Sequence, residues 1–319
     1  MLIKRGGGSK RLYYIDLAKV LATFLVIFSH MYATESPERL YIYAFHMPFF
    51  FFVSGMFFKP IPIKEEIKKS FKKLIIPAFI YISIAFLIKV VFFDNPFLEL
   101  LKGTFWGLIT GHQIKANNIA WFFFALANVR ILASIWYYKK YLCTLIILVL
   151  FSLTVILRTP FFLFAQAIVA LPFYLIAYYL KDYINNESSK DRGWIRIIIS
   201  IILLAGTVIL TNINGRADVF GLSFGHLPYG IKFIVFYANA IIGSLLILNT
   251  ALIFNKPNVI IEKTALALMT TLGFQRIPLN IYCDIFGKYS PYWYSIPGTI
   301  IIMAICVICH KPISKLFPK

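Results

Sequence analysis

Acidic side chains are scarce in this sequence. Only 13 Asp and Glu accompany 32 Lys and Arg, and charged residues make up just 14% of the 319 residues. Extended polar stretches are scarce as well, because 60% of the residues are hydrophobic and the mean hydropathy is +0.78. Soluble domains are closer to half apolar. The composition therefore excludes a large soluble domain and indicates a polytopic membrane protein.

Cysteine is also rare, with four residues that all lie in apolar stretches, and the last two, Cys306 and Cys309, form a C-x-x-C pair. Such pairs can bind a metal or carry out redox chemistry. A cysteine in an apolar helix is more often a small packing side chain. We interpret the cysteines in this way and predict no metal site, with a metal or redox pair as the alternative.

Long apolar runs, by contrast, are abundant, and they repeatedly reach the roughly 20 residues needed to cross a bilayer. We predict an all-α polytopic membrane protein with about ten transmembrane helices. The predicted spans are 14–32, 40–58, 72–93, 119–138, 140–157, 160–180, 194–213, 232–254, 263–287 and 293–310. Residues 14–310 would form a single membrane domain, between a cytoplasmic leader at 1–13 and a cytoplasmic tail at 311–319.

The basic residues account for the net charge of +19 and orient the predicted spans. With the N-terminus inside, most Lys and Arg fall in inner loops, as the positive-inside rule requires. The most basic segment runs from Lys59 to Lys73. Both termini are therefore predicted to be cytoplasmic, and no nucleic-acid partner is expected. The first span carries charges and lacks a clear cleavage site, so we expect it to remain as an anchor.

Ionisable groups interrupt the first apolar stretch. Asp16, Lys19 and His30 lie within it or at its edge, where each costs roughly 2.5–3.5 kcal/mol on insertion scales. At ~100° per residue, Lys19 lies about 20° and Asp16 about 40° from His30 around the helix. Thr23 shares this face. The stripe must face protein or water instead of lipid, which makes these residues candidates for a functional site.

Among the other ionisable residues inside predicted spans, three stand out. His46 lies at a depth similar to that of His30 on the neighbouring antiparallel helix, and a buried structural histidine is the alternative role for both. Arg130 and Arg276 lie mid-span and must face the protein interior. Each arginine either pairs with an acid or free carbonyls, or binds a phosphate or an oxyanion. Pro48 is expected to kink the second span.

Four sequence features resemble one known family. They are the Lys19-x10-His30 spacing, the phrase from Phe45 to Phe58, the segment Lys72-Lys73-Leu74-Ile75-Ile76-Pro77, and Trp121-Phe122-Phe123. In this order they are similar to motifs of spans one to four in the acyltransferase-3 family of integral-membrane O-acyltransferases, in its fucose 4-O-acetylase-like branch. Two positions depart from the family pattern: Lys69-x-x-Lys72 replaces an Arg-x-x-Arg, and Asp284 stands about where the family has a later histidine.

The resemblance implies a membrane enzyme that moves an acetyl or similar acyl group from cytoplasmic acetyl-CoA to a hydroxyl of an extracytoplasmic or lipid-linked sugar. Acetyl-CoA would be a co-substrate, with no permanently bound cofactor, and the location would be a bacterial plasma (inner) membrane. The implied general base is His30, because a sugar hydroxyl is a poor nucleophile until it loses its proton. A transporter or flippase for a lipid-linked glycan or small solute is the alternative function.

The remaining site residues are assigned on the same basis. Lys19 and Asp16 join His30 as catalytic candidates, in site structure or donor binding, since Asp16 is about 21 Å along the helix from His30. The donor-binding candidates are Lys68, Lys69, Lys72, Lys73 and Arg130. The acceptor-binding or site-lining candidates are His46, Trp121, Arg276 and Asp284. The outer loops 94–118 and 214–231 are expected to help select the acceptor, whose identity the sequence does not reveal.

Overall fold

Every regular element in the described chain is a helix. The computed structural model describes residues 12–33, 36–93, 96–110, 113–157, 163–188, 192–215, 231–287 and 292–318. The helices are α1 (Tyr13–His30), α2 (Pro37–Tyr43), α3 (His46–Met56), α4 (Ile63–Ser70), α5 (Ile76–Phe92), α6 (Phe97–Thr110), α7 (Trp121–Tyr138), α8 (Lys140–Leu157), α9 (Phe164–Ser188), α10 (Gly193–Asn214), α11 (Ile231–Ile253), α12 (Val259–Leu266), α13 (Leu268–Phe274), α14 (Arg276–Phe286) and α15 (Tyr292–Ser314). A π-helical turn, Phe71–Ile75, joins α4 to α5, and a short 3-10 turn, Asn118–Ala120, precedes α7.

Seven helices in the described ranges are long and apolar enough to cross a membrane. They are Tyr13–His30, Ile63–Phe92, Asn118–Tyr138, Phe164–Ser188, Gly193–Asn214, Ile231–Ile253 and Trp293–Ser314. The predicted all-α, multi-pass class is therefore confirmed. The count of ten spans, the cytoplasmic termini and the division into leader, membrane domain and tail stay predictions.

Two predicted spans are broken into shorter helices, and a proline explains two of the three breaks, whereas no proline accounts for the break at Ala267 between α12 and α13. Pro48 lies in the first turn of α3, and its ring excludes a helix that continues through the carbonyl of Ala44. The α-helical hydrogen bonding is accordingly interrupted at Ala44 and Phe45, which form a turn between α2 and α3, although Ala44 keeps helical backbone angles. Pro278 stands in the same relation to Phe274, the last residue of α13. Pro48 thus separates two helices, where the sequence predicted a kink within one.

The described residues form two compact units. The first comprises the described parts of Met1–Phe50, Asp182–Gly215 and Val235–His310. Within it, α1 packs against α2, α12 and α13. Its apolar core includes Ile27, Met31, Leu279, Cys283, Ile302, Met303 and Cys306. Gly243 on α11 lies directly against the ring of Phe45, where any Cβ would overlap that side chain.

The second unit comprises the described parts of Phe51–Lys181, Arg216–Ile234 and Lys311–Lys319. Here α4 packs against α7, and the Ser134 hydroxyl donates a hydrogen bond of 2.8 Å to the Ile61 carbonyl just before α4. Gly55 on α3 lies against the backbone of Tyr174 on α9. The packing of α4 on α7 and the Ser134 hydrogen bond fix this amphipathic helix, which carries Lys68 and Lys69, on the side of α7.

Candidate active site

His30 is the last residue of α1, and its ring meets Tyr43 at the end of α2. The His30 Nδ1 atom lies 3.1 Å from the Tyr43 hydroxyl oxygen, and the two rings meet edge to face with centroids 5.7 Å apart. The His30 side chain is half-buried. Its second ring nitrogen, Nε2, has no hydrogen-bond partner among the residues that the structure describes. The imidazole is therefore tethered at one nitrogen and available at the other.

Arg39 holds the Tyr43 hydroxyl from the other side. Its Nη2 donates to the Tyr43 oxygen at 2.8 Å, and its Nη1 donates to the Tyr32 carbonyl at 3.2 Å. The guanidinium also lies over the Tyr43 ring, 4.7 Å from the centroid, in cation–π geometry. The four-residue spacing of Arg39 and Tyr43 places both on one face of α2. Ser36 caps this helix by accepting the Arg39 backbone N–H.

His46 packs on the same tyrosine. Its ring centroid lies 4.5 Å from that of Tyr43, and its Nδ1 lies 2.9 Å from the Ile42 carbonyl oxygen. A carbonyl can only accept, so Nδ1 of His46 carries the hydrogen and donates it. The side chain is 2% exposed. This geometry favours a packing role for His46, in which it supports Tyr43 instead of meeting a substrate.

Arg276 adds positive charge to this cluster. It begins α14 at the break near Pro278, is half-buried, and lies close enough for its charge to act on His30, Tyr43 and Arg39. Two arginines near one imidazole create a local field that suits a developing negative charge. The structure therefore brings His30, His46 and Arg276 together within the first unit.

The other candidates of this unit lie apart from His30. Asp16 and Lys19 are half-buried near the start of α1, where the Thr23 hydroxyl donates to the Lys19 carbonyl at 2.8 Å. Because α1 is unbroken from Tyr13 to His30, the predicted separation of about 21 Å between Asp16 and His30 holds. Asp284 is exposed near the end of α14. Among the described residues, Asp16, Lys19 and Asp284 make no direct contact with the His30 imidazole.

In the second unit, Arg130 pairs with a buried acid. Its Nε donates to Glu66 Oε1 at 2.7 Å, and the Ser70 hydroxyl donates to the same oxygen at 3.0 Å. Glu66 is 1% exposed, whereas the Arg130 side chain is 20% exposed. Pairing with an acid was one of the two roles open for Arg130. Only Nε is used in this pair, so the Nη edge of the guanidinium can still bind an anion.

The predicted donor-binding lysines follow directly after Glu66. Lys68, Lys72 and Lys73 are exposed and Lys69 is half-buried. Lys72 and Lys73 lie in the π-helical turn between α4 and α5, a distortion that occurs frequently at functional sites. Trp121 begins α7, half-buried and edge-on to Phe122 at 6.3 Å. Four ammonium groups on a short segment can attract a polyanionic ligand.

Three residues of these clusters did not stand out in the sequence. Arg39 and Tyr43 could have been found from their four-residue spacing on a short helix with Pro37 at its first position. Glu66 could have been found as an acid on the apolar face of α4, four residues before Ser70. Arg39 and Glu66 lie in segments rich in charge, where a single buried charge gives no separate signal.

Other predicted features are placed only in part. The acceptor-selecting loops include residues 94–95, 111–112 and 216–230, which lie outside the described residues. Within the described ranges, no three His, Cys, Asp or Glu side chains form a group that could hold a metal ion. Cys306 is buried in the core of the first unit, and Cys309 is half-buried.

Comparison with known proteins identifies the family. Residues 12–311 match the Acyl_transf_3 family model, described as an acyltransferase domain. No curated protein and no solved structure matches the chain. The match includes all ten predicted spans and both charged clusters. The chain therefore belongs to the acyltransferase-3 family and is a membrane acyltransferase.

Proposed function

We propose that this protein is an O-acyltransferase that moves an acetyl group from acetyl-CoA to a hydroxyl of an extracytoplasmic or lipid-linked sugar, in a bacterial plasma membrane. The observation that carries the proposal is the half-buried His30 imidazole, tethered at Nδ1 by Tyr43 in a chain of the acyltransferase-3 family. Ordered imidazoles of this kind are the usual bases for deprotonating alcohols. The resemblance to the fucose 4-O-acetylase-like branch supports a sugar as the acceptor.

The chemistry requires two proton transfers and one exchange of bonds at the acyl carbon. His30 takes up the proton of the acceptor hydroxyl as the oxygen forms a bond to the thioester carbonyl carbon. The carbon–sulfur bond then breaks, and the departing thiolate takes a proton from His30, which gives free coenzyme A and returns the imidazole to its neutral form. The charge of Arg276, close to His30 and Tyr43, supports the negative charge that develops during attack.

The donor contributes phosphates, which need cations. Lys68, Lys69, Lys72 and Lys73 lie on or directly after α4, and three of them are exposed. Lysine is a point charge without the bidentate fork of arginine, so this cluster would attract phosphate groups more than orient them. Arg130, held through Nε by Glu66, presents the planar edge that the lysines lack. We therefore assign these residues to binding of acetyl-CoA.

The test is acyl transfer by purified protein in lipid nanodiscs, with radiolabelled acetyl-CoA and a panel of sugar and lipid-linked glycan acceptors. His30→Ala should reduce transfer to an active acceptor by about 10²-fold or more, because general base catalysis contributes about 10²–10⁴-fold. His310→Ala is the matched control, since His310 on α15 contacts Thr270 at 2.8 Å and has no proposed role in catalysis. It should transfer acetyl groups at the wild-type rate.

Two results would contradict the proposal. Undiminished transfer by His30→Ala would remove His30 from the role of base. Movement of a labelled glycan or solute across the bilayer without any acyl transfer would show that the protein is a transporter or flippase. The breaks between helices α12 and α14 would fit that function, because discontinuous helices form the binding sites of many transporters.

A further inference from the structure

The hydrogen bonds of the Tyr43 hydroxyl indicate which nitrogen of His30 carries the basic lone pair. Arg39 has only donors, so the Tyr43 oxygen accepts from its Nη2 at 2.8 Å. The Tyr43 hydroxyl then has a single hydrogen to donate. Among the described residues, the acceptor within reach of it is His30 Nδ1, 3.1 Å away. A donor on the phenol oxygen also makes the hydroxyl a stronger donor, because hydrogen bonds in a chain polarise one another. This arrangement favours the neutral tautomer with its hydrogen on Nε2, in which Nδ1 accepts from Tyr43.

This tautomer limits what His30 can do alone. A ring with a hydrogen on Nε2 has its lone pair on Nδ1, and that lone pair faces the Tyr43 hydroxyl. An acceptor alcohol cannot give its proton directly to Nδ1 while the hydroxyl occupies that position. It can give the proton to the Tyr43 oxygen as the hydroxyl hydrogen moves to Nδ1. Base catalysis by His30 in this geometry therefore passes through the tyrosine.

We propose that Tyr43 is a catalytic residue that carries the proton of the acceptor hydroxyl to His30, while Arg39 holds and polarises its oxygen. The inference rests on the proposed O-acyltransferase function and specifies the route of the proton. The neighbouring groups fit this role: His46 packs on the Tyr43 ring at 4.5 Å between centroids. The charge of Arg276 also acts on Tyr43 and favours the phenol oxygen as it loses its hydrogen.

The protons and bonds balance over one turnover. The acceptor O–H proton moves to the Tyr43 oxygen, the Tyr43 hydrogen moves to Nδ1, and His30 becomes an imidazolium. The acceptor oxygen bonds to the acyl carbon, and the carbon–sulfur bond breaks. The departing thiolate then takes the Nε2 proton, which leaves a neutral ring with its hydrogen on Nδ1. Proton exchange with water returns the ring to its starting tautomer.

Tyr43→Phe tests the relay, because it removes one oxygen and leaves the ring packed between His30 and His46. We expect kcat to fall by about 100-fold and the KM for both substrates to change by less than about threefold. Tyr41→Phe is the matched control, since Tyr41 lies on the same helix and its hydroxyl donates to Asn212 at 3.1 Å. Its kcat should stay within about twofold of wild type.

Solvent isotope effects provide a readout that a merely structural role would not alter. With chemistry limiting, the wild-type rate in mixtures of H2O and D2O should follow a curved proton inventory, because two protons move together. The residual activity of Tyr43→Phe should follow a straight line, as expected for one proton. A straight line for wild-type protein, or a kcat of Tyr43→Phe within twofold of wild type, would overturn the relay.

A second measurement needs no change at Tyr43. Wild-type protein labelled with ¹⁵N-histidine should show His30 protonated at Nε2, with its signals assigned by their loss in His30→Gln. Protonation at Nδ1 would overturn the relay, because the tyrosine would then accept from the ring. Different results contradict the role of His30 as base and the role of Tyr43 as relay. Transfer that survives His30→Ala refutes the proposed base, whereas loss in His30→Ala without loss in Tyr43→Phe refutes only the relay.

Discussion

Glu66→Gln isolates the charge of the buried ion pair that holds α4 on α7. The amide oxygen can still accept from Arg130 and Ser70, so the change removes one negative charge and places an NH2 group where Glu66 Oε2 is buried without a hydrogen-bond partner among the described residues. Breaking a buried pair by removing one partner costs about 3–5 kcal/mol, because a charge is left uncompensated. The Arg130 side chain is 20% exposed, so water compensates part of this cost, and we expect a loss of about 2–3 kcal/mol.

The assay is the midpoint of thermal unfolding of purified protein in a single detergent. A loss of this size corresponds to a decrease of roughly 3–5 °C in Tm, because an unfolding entropy of about 2.1 cal/mol/K per residue amounts to about 0.7 kcal/mol/K for 319 residues. Glu99→Gln is the control, because Glu99 forms an ion pair of 2.8 Å with Lys115 in which both side chains are well exposed. The Lys115 amine lowers the pKa of the Glu99 carboxyl through this hydrogen bond. Exposed pairs are screened by water, and this change should leave Tm within experimental error.

A double variant refutes the reasoning most directly. Glu66→Leu with Arg130→Met removes both charges, and replacing a buried pair by apolar residues is often neutral or stabilising. The double variant should therefore recover most of the Tm lost in Glu66→Gln. If it is as unstable as Glu66→Gln, or if Glu66→Gln unfolds at the wild-type temperature, the uncompensated charge is not what determines the stability of this contact.

Two further predictions concern the donor and the packing of α3. The first replaces the four donor-binding lysines, Lys68, Lys69, Lys72 and Lys73, by Gln. This change should raise the KM for acetyl-CoA by about tenfold and make the KM less dependent on salt, because fewer charges remain for salt to screen. An unchanged KM would limit these lysines to setting the membrane topology. Gly55→Ala should lower Tm and the yield of folded protein, because the new Cβ would overlap the Tyr174 carbonyl, a backbone atom that cannot rotate away. Gly193→Ala, which meets no atom within 4 Å, is the control and should unfold at or slightly above the wild-type Tm.

The helical class was predictable because the bilayer constrains it so strongly. Runs of about 20 apolar residues have few alternatives to a helix, since every backbone group in lipid must be satisfied internally. The helices Gly193–Asn214 and Ile231–Ile253 lie within one residue of the predicted 194–213 and 232–254. The breaks in 40–58 and 263–287 were harder to place. At Pro48 and Pro278 the break occurs up to four residues before the proline that causes it, and the break at Ala267 has no proline to mark it.

The candidate site was predictable only where a charge stands alone in an apolar run. His30 and Arg276 were noticeable for that reason, and the structure places them near each other. Glu66, the partner of Arg130, and Arg39, which donates to the Tyr43 hydroxyl, escaped notice because they lie among other charged residues, where burial is decided by helix packing and not by local sequence. A face shared along one helix also says nothing about distance along it. Asp16 and His30 belong to one stripe of α1 yet lie about 21 Å apart.

The desolvation cost of a buried charge favours a tyrosine beside His30, where many hydrolases and transferases use a carboxylate. An ionised acid at this position would need compensation for its desolvation, as Glu66 has from Arg130. A phenol is neutral at rest and acquires charge only while a proton is moving. Arg39 supplies the donor that stabilises this transient charge, and its second bond, to the Tyr32 carbonyl, keeps the guanidinium fixed while the phenol changes state. The cost of a permanent buried anion is thus avoided while the imidazole remains oriented.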